Sequence, residues 1–199
     1  GMKKKDRLMS PKETKIVAHH EAGHALMGYL LKSTNPPIKV SIVPRGRGAL
    51  GYSQPEPSEK KLYHKKELLA QLMVLYGGRV AEEIFFTDPT TGAWDDIKKA
   101  TKLARQMVTQ YGLSSLGPRA CQLEENTQGS KRIGPDFLNK VEDEVQKILN
   151  EQYEATVKLL TENKKYLEII AGKLLEKEVL VKSDIVSLVG AALEDSVEI

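Results

Sequence analysis

The sequence predicts a mainly α-helical domain that carries a small β-hairpin or sheet and ends in a helical bundle. Two observations predict it. Apolar residues recur at three- and four-residue spacing along successive long stretches, whereas Ile38-Lys-Val-Ser-Ile-Val43 alternates as a half-buried strand. The first helix has a start signal with a mechanism. Ser10 can cap, Pro11 suits the first helical position, and Glu13 can close a capping box. The apolar stripe then runs to about residue 32, and Asn35-Pro36-Pro37 ends it.

After the strand, Pro44-Arg-Gly-Arg-Gly48 reads as a turn and Ala49-Leu-Gly-Tyr-Ser-Gln54 as its return strand. The hairpin either covers the core or offers an edge to an extended peptide. A polar connector reaches residue 63, and a second helix follows to about residue 85, with Leu68, Leu69, Leu72, Leu75 and Tyr76 on its apolar face. Gly77-Gly78-Arg79 is expected to interrupt that helix and to permit close helix contact, since each glycine costs about 1 kcal/mol relative to alanine. Thr91 is the expected cap of a third helix, whose buried stripe is Ile97, Ala100, Ala104, Val108 and Tyr111, with Gly112 at its end. The Gly- and Pro-containing segment from 116 to 135 reads as a flexible connection. Helices are then expected from 136 to about 163, from 166 to 177 and from about 183 to 193. The apolar positions do not keep strict heptads, so these form a bundle and not a coiled coil.

Length and composition narrow the class. A chain of 199 residues with 40% hydrophobic content supports a real core. Residues 1–9 read as a tag remnant and linker, because of the opening Gly1-Met2, and residues 10–199 as one domain with a helical extension from about 136. No apolar run is long enough to cross a bilayer, so this piece is expected to be soluble. Thirty basic against 27 acidic residues give a net charge of +3, and aromatics make up only 6%. With no interleaving of basic and aromatic residues, nucleic acid is not an expected partner. The single Cys121 rules out an intrachain disulfide and reads as a plain packing or loop thiol.

The chemistry lies in the first helix. His20-Glu21-Ala22-Gly23-His24 is an H-E-x-x-H pattern. Residues four apart on a helix are offset by about 40°, so both imidazoles leave one face and can hold one zinc ion. Glu21 sits beside the metal, where a carboxylate can take a proton from water. His19 points about 100° away from His20 and reads as a surface or packing histidine, not a ligand. The bland alternative is a pair of hydrogen-bonded core histidines, but a Glu directly after the first favours a zincin-like hydrolase site. Such a site needs a third protein ligand. The positions at which metzincins carry Gly and a third His hold Met27 and Leu30, which excludes that class. Four carboxylates remain as candidates: Glu82, Glu83, Asp95 and Asp96.

The chain resembles the peptidase domain of the FtsH-type, membrane-anchored, ATP-dependent zinc metalloproteases. The resemblance rests on Ile16-Val-Ala-His-His-Glu-Ala-Gly-His-Ala-Leu26, Gly77-Gly-Arg-Val-Ala-Glu-Glu-Ile84, Thr91-Gly-Ala-Trp-Asp-Asp-Ile97, Met107-Val-Thr-Gln-Tyr-Gly112, Leu116-Gly-Pro118 and Leu174-Leu-Glu-Lys-Glu-Val179. It implies that His20, His24 and Asp96 bind Zn2+, that Glu21 is the catalytic base, and that Glu82 orients a zinc histidine. It also implies polypeptide substrates, an ATPase module and transmembrane segments elsewhere in the full-length protein, a homo-hexamer, and a place on the cytoplasmic side of a bacterial inner membrane. This chain has no G-x-x-x-x-G-K-[ST] loop and is not expected to use ATP itself. Trp94 and Asp95 depart from the family pattern. The second carboxylate could compete for the metal or alter its electrostatics, and the indole could narrow the cleft. The 86–90 loop and the 119–136 segment are shorter than in many relatives.

Overall fold

A computed structural model describes residues 9–44, 50–121 and 134–194. Helix α1 (Pro11–Leu30) is central. Its capping box forms as expected. Ser10 Oγ accepts from the Glu13 amide at 3.2 Å, and the Glu13 carboxylate accepts from the Ser10 amide at 2.9 Å. Every residue from Val17 to Leu30 is buried, the polar ones included. A helix sealed on all sides must be walled by other elements. Helix α2 (Lys65–Phe86), helix α5 (Lys164–Lys177) and the sheet form those walls.

The sheet has three strands, β1 (Pro37–Ser41), β2 (Tyr52–Pro55) and β3 (Val179–Val181), in the order β2-β1-β3. Both pairings are antiparallel, and Ser41 faces Tyr52 on one side and Val179 on the other. The hairpin strands are shorter than the sequence suggests, and residues 45–48 of the expected turn, with Ala49 of the expected return strand, lie outside the described residues. The third strand was not anticipated. Three residues between two helices show no periodicity, and β3 exists only because Val40 finds Leu180 from a distant part of the chain.

Helix α2 runs unbroken through Gly77 and Gly78, so the expected interruption does not occur. The reason is close approach. A Cβ on Gly23 would lie 2.2 Å from the Gly77 carbonyl oxygen, and one on Gly77 would lie 2.7 Å from that of Gly23. The two glycines let α1 and α2 touch backbone to backbone. The packing gained there offsets the helix-propensity cost.

A 3₁₀ turn (Thr91–Ala93) leads into α3 (Trp94–Thr109). Thr90, not Thr91, caps the turn, its hydroxyl accepting from the Gly92 amide at 3.1 Å. Tyr111 falls past the helix end and is half exposed, so the expected buried stripe stops at Val108. Helix α4 (Pro135–Glu162) lies across α2 and α3, and residues 122–133 of the expected flexible segment are outside the described residues. Helix α5 starts two residues earlier than the sequence suggests, and α6 (Lys182–Glu194) closes the described chain. Leu160, Leu167, Ile170, Leu174 and Leu180, all essentially inaccessible, join the C-terminal helices to α1 in one core. None of the helices among the described residues is long and apolar enough to cross a membrane.

Candidate metal centre

His20 and His24 project from α1 toward α2 and the start of α3. His24 Nδ1 donates to the Val74 carbonyl at 2.8 Å, since a carbonyl can only accept. His20 Nδ1 lies 2.7 Å from Glu82 Oε1, and the other Glu82 oxygen accepts from the Thr90 amide at 2.7 Å. Glu82 is 1% exposed, and hydrogen bonds are its compensation for burial. Burial raises the Glu82 pKa, but the His20 and Thr90 bonds outweigh it and leave it below its usual value. The carboxylate is therefore anionic, and His20 Nδ1 is the donor.

With both Nδ1 atoms committed as donors, each neutral imidazole keeps its lone pair on Nε2, and the two Nε2 atoms face each other at 3.0 Å. Asp96 Oδ2 lies 3.3 Å from His20 Nε2 and 3.2 Å from His24 Nε2. Two lone pairs and a carboxylate oxygen directed at one point repel unless a cation or proton sits among them. Burial lowers the His20 pKa, but the bonds to Asp96 and then Glu82 overcome it and raise it to about 9. The same pair of histidines depresses the Asp96 pKa against the opposing effect of burial. Asp96 also sits in the first turn of α3, where the helix dipole favours its charge.

The donor set fits zinc. A tetrahedral zinc with bonds of about 2.0–2.1 Å has ligand atoms about 3.3 Å apart, close to the three separations seen here. His20, His24 and Asp96 form the only group of three potential ligands found among the described residues. The side chains of His20, His24 and Asp96 retain 11%, 10% and 20% exposure, so the cluster is not sealed from solvent.

The other candidate carboxylates are directed elsewhere. Glu82 meets the far nitrogen of His20, not the facing one. Glu83 takes Arg79 and the Tyr153 hydroxyl as partners on another face of α2. Asp95 is exposed and pairs with Lys99 at 2.6 Å, away from the cluster, so it does not compete with Asp96. Trp94 is 70% exposed. His19 packs against Phe85 and Phe86 and bonds the Lys15 carbonyl, so of the two readings, surface or packing, the fold takes packing.

Glu21 is buried, and burial raises its pKa above the usual carboxylate range, with Asp96 adding to the rise and the two histidines opposing it. Two glycines line the site that sequence reasoning did not place there. A Cβ on Gly78 would lie 2.5 Å from His20 Nε2 and 2.6 Å from His24 Nε2, so only a glycine gives the imidazoles room. Gly51 abuts Glu21 in the same way. The glycine pair in α2 was a visible signal for the first, and nothing local signals the second.

A model of peptidase family M41 matches residues 7–188. The chain is 42% identical over 198 residues to an ATP-dependent zinc metalloprotease FtsH of Rhodothermus marinus, covering 96% of this chain and 28% of that protein. It is 47% identical over 196 residues to the protein of the same name from Acholeplasma laidlawii, covering 93% of this chain and 30% of the other. It is 44% identical over 195 residues to the mouse mitochondrial inner membrane m-AAA protease component AFG3L2, covering 96% and 24%. The chain thus spans between about a quarter and a third of the length of these relatives.

Proposed function

The chain belongs to peptidase family M41, and from that premise we propose that it is a zinc-dependent endopeptidase domain that hydrolyses unfolded polypeptides. One observation carries the reading: the two facing Nε2 atoms and Asp96 Oδ2, held 3.0 to 3.3 Å apart with both Nδ1 atoms already bonded. His20, His24 and Asp96 would hold the zinc. Bound there, zinc would supply a Lewis acid that polarises a carbonyl and brings the pKa of water toward about 7. Glu21 takes the proton of the attacking water and delivers it to the departing amine nitrogen. Its burial favours the proton-bound form and so makes it a stronger base than an exposed glutamate.

The sheet supports a way of holding the substrate. The Ile42 amide bonds Glu178 and the Glu56 amide bonds Pro36, so alternation turns the backbone of Tyr52 and Gln54 toward β1. The backbone groups of Ser53, and the Gly51 carbonyl opposite the inward Tyr52 amide, then face outward, on an edge that no other strand covers among the described residues. An extended peptide can add there as a further strand, beside Glu21.

In the whole protein, we place an ATPase module and membrane segments before this domain, within a hexamer whose peptidase side faces the bacterial cytoplasm. The relatives' names, which include ATP-dependent and inner-membrane proteases, support the first part of this reading. The hexamer and the orientation rest on the resemblance of the motifs.

The test is a zinc titration of chelator-stripped protein against a quenched-fluorescence peptide without stable structure. Bound zinc should saturate at a single equivalent, and cleavage should rise in proportion to it. Zinc uptake with no cleavage would favour a non-enzymatic domain instead. In the same titration, Glu82→Gln should weaken zinc affinity about 10- to 100-fold. An amide can accept only through its oxygen, so either His20 or the Thr90 amide is left facing an NH₂ group. An unchanged affinity would remove Glu82 from the orienting role.

A further inference from the structure

We propose that Gly51 is a positioning residue for Glu21, its bare Cα forming the wall that sets where the carboxylate can lie. The proposal rests on the reading of Glu21 as the base. A Cβ built on Gly51 would lie 2.8 Å from Glu21 Cγ, 2.9 Å from Glu21 Oε1 and 2.9 Å from the Ser41 carbonyl oxygen. The backbone does not demand glycine here. Among the described residues, the glycines at positive φ are Gly112 and Gly117, and Gly51 is not one of them. An ordinary φ with three contacts below 3.0 Å means that the glycine is there for room.

What needs the room is a buried carboxylate wedged between α1 and the strand. Gly51 also directly precedes Tyr52, the first residue of β2, at the edge beside which a substrate would lie. One residue therefore sets two distances, from the base to the sheet and from the base to an edge-bound peptide. Alanine at 51 has two ways to relieve its contacts. The Ser41 contact yields to a small shift of β2, against the pairing of Ser41 with Tyr52, whereas the two Glu21 contacts yield when that side chain turns and carries Cγ and Oε1 with it. A side chain turns more readily than a paired strand moves far. The displaced group is then the base.

A double-mutant cycle tests this. In the zinc-loaded chain, Gly51→Ala should keep zinc stoichiometry, lower kcat about 10-fold or more, and change KM by less than about threefold. Aspartate keeps Cγ but withdraws the carboxylate end that meets the new methyl group at 2.9 Å, so Gly51→Ala should cost measurably less in kcat in a Glu21→Asp background than in the parent. A second cycle needs no activity. In metal-free thermal melts, Gly51→Ala should lower Tm in the parent and lower it less in a Glu21→Ala background. Costs that simply multiply in kcat, and add in Tm, would overturn the proposal. Should Gly51→Ala alone fail to fold, rescue by Glu21→Ala supports it. Failure of that pair too would assign the clash to the Ser41 carbonyl and overturn it. Zinc-loaded parent protein that cleaves nothing would sink the peptidase reading, while the melting cycle would still decide the contact.

Discussion

Replacing Glu21 with glutamine is expected to leave zinc bound and to slow peptide hydrolysis by about 10²- to 10⁴-fold, the contribution of a well-placed general base. Glutamine has the same shape, so it can occupy the space under Gly51 without disturbing α1. It touches none of the three atoms that converge on the metal position, and zinc stoichiometry should match that of the parent. Only the capacity to take a proton is lost. Asp96→Asn provides the contrast. It removes the charge that faces both imidazoles, and its loss of rate should follow a loss of zinc. Measuring kcat and bound zinc on the same preparations separates the two. A Glu21→Gln protein that cleaves at near-parental rate would mean that the proton leaves through another group.

The parts of this site that are legible in the sequence are the local ones. His20 and His24 share a face because they are four residues apart on one helix, and the capping box that starts that helix lies within four residues. Asp96 is different. It is 76 positions from His20, and spacing cannot choose it over Glu82, Glu83 or Asp95. Resemblance singled it out at the sequence level. The fold separates the four physically, by giving Glu83 to Arg79 and Tyr153 and Asp95 to Lys99. Strand β3 and the Gly51 contact were illegible for one shared reason. Each depends on what a distant segment brings to it. The glycine pair in α2 was visible but misread in part, because propensity counts the cost of a glycine and not the neighbour that it admits.

That neighbour makes Gly23→Ala the other variant with a large expected effect. The new methyl group would lie 2.2 Å from the Gly77 carbonyl oxygen and 2.8 Å from the Ala81 Cβ, at the seam of two buried helices. Backbone cannot swing aside as a side-chain end can, so α1 and α2 must separate. The expected cost is about 3 kcal/mol, at the upper end for overpacking, or a fall in Tm of about 6–12 °C for a domain of this size. Separation also parts His20 from Glu82, and His24 from the Val74 carbonyl, because those bonds cross the same seam. Zinc affinity should therefore fall about 10-fold or more along with stability. Gly172→Ala on α5 is the matched control. That glycine is exposed, is helical, and has nothing within 4 Å of an added Cβ. Alanine there should raise stability by about 0.5–1 kcal/mol through helix propensity and leave zinc affinity unchanged. Opposite signs for the same substitution in two helices would show that the seam, and not helix propensity, decides what position 23 tolerates. Equal and small effects at both positions would mean that α1 and α2 have slack, and that the close approach of their backbones does not hold the metal ligands in place.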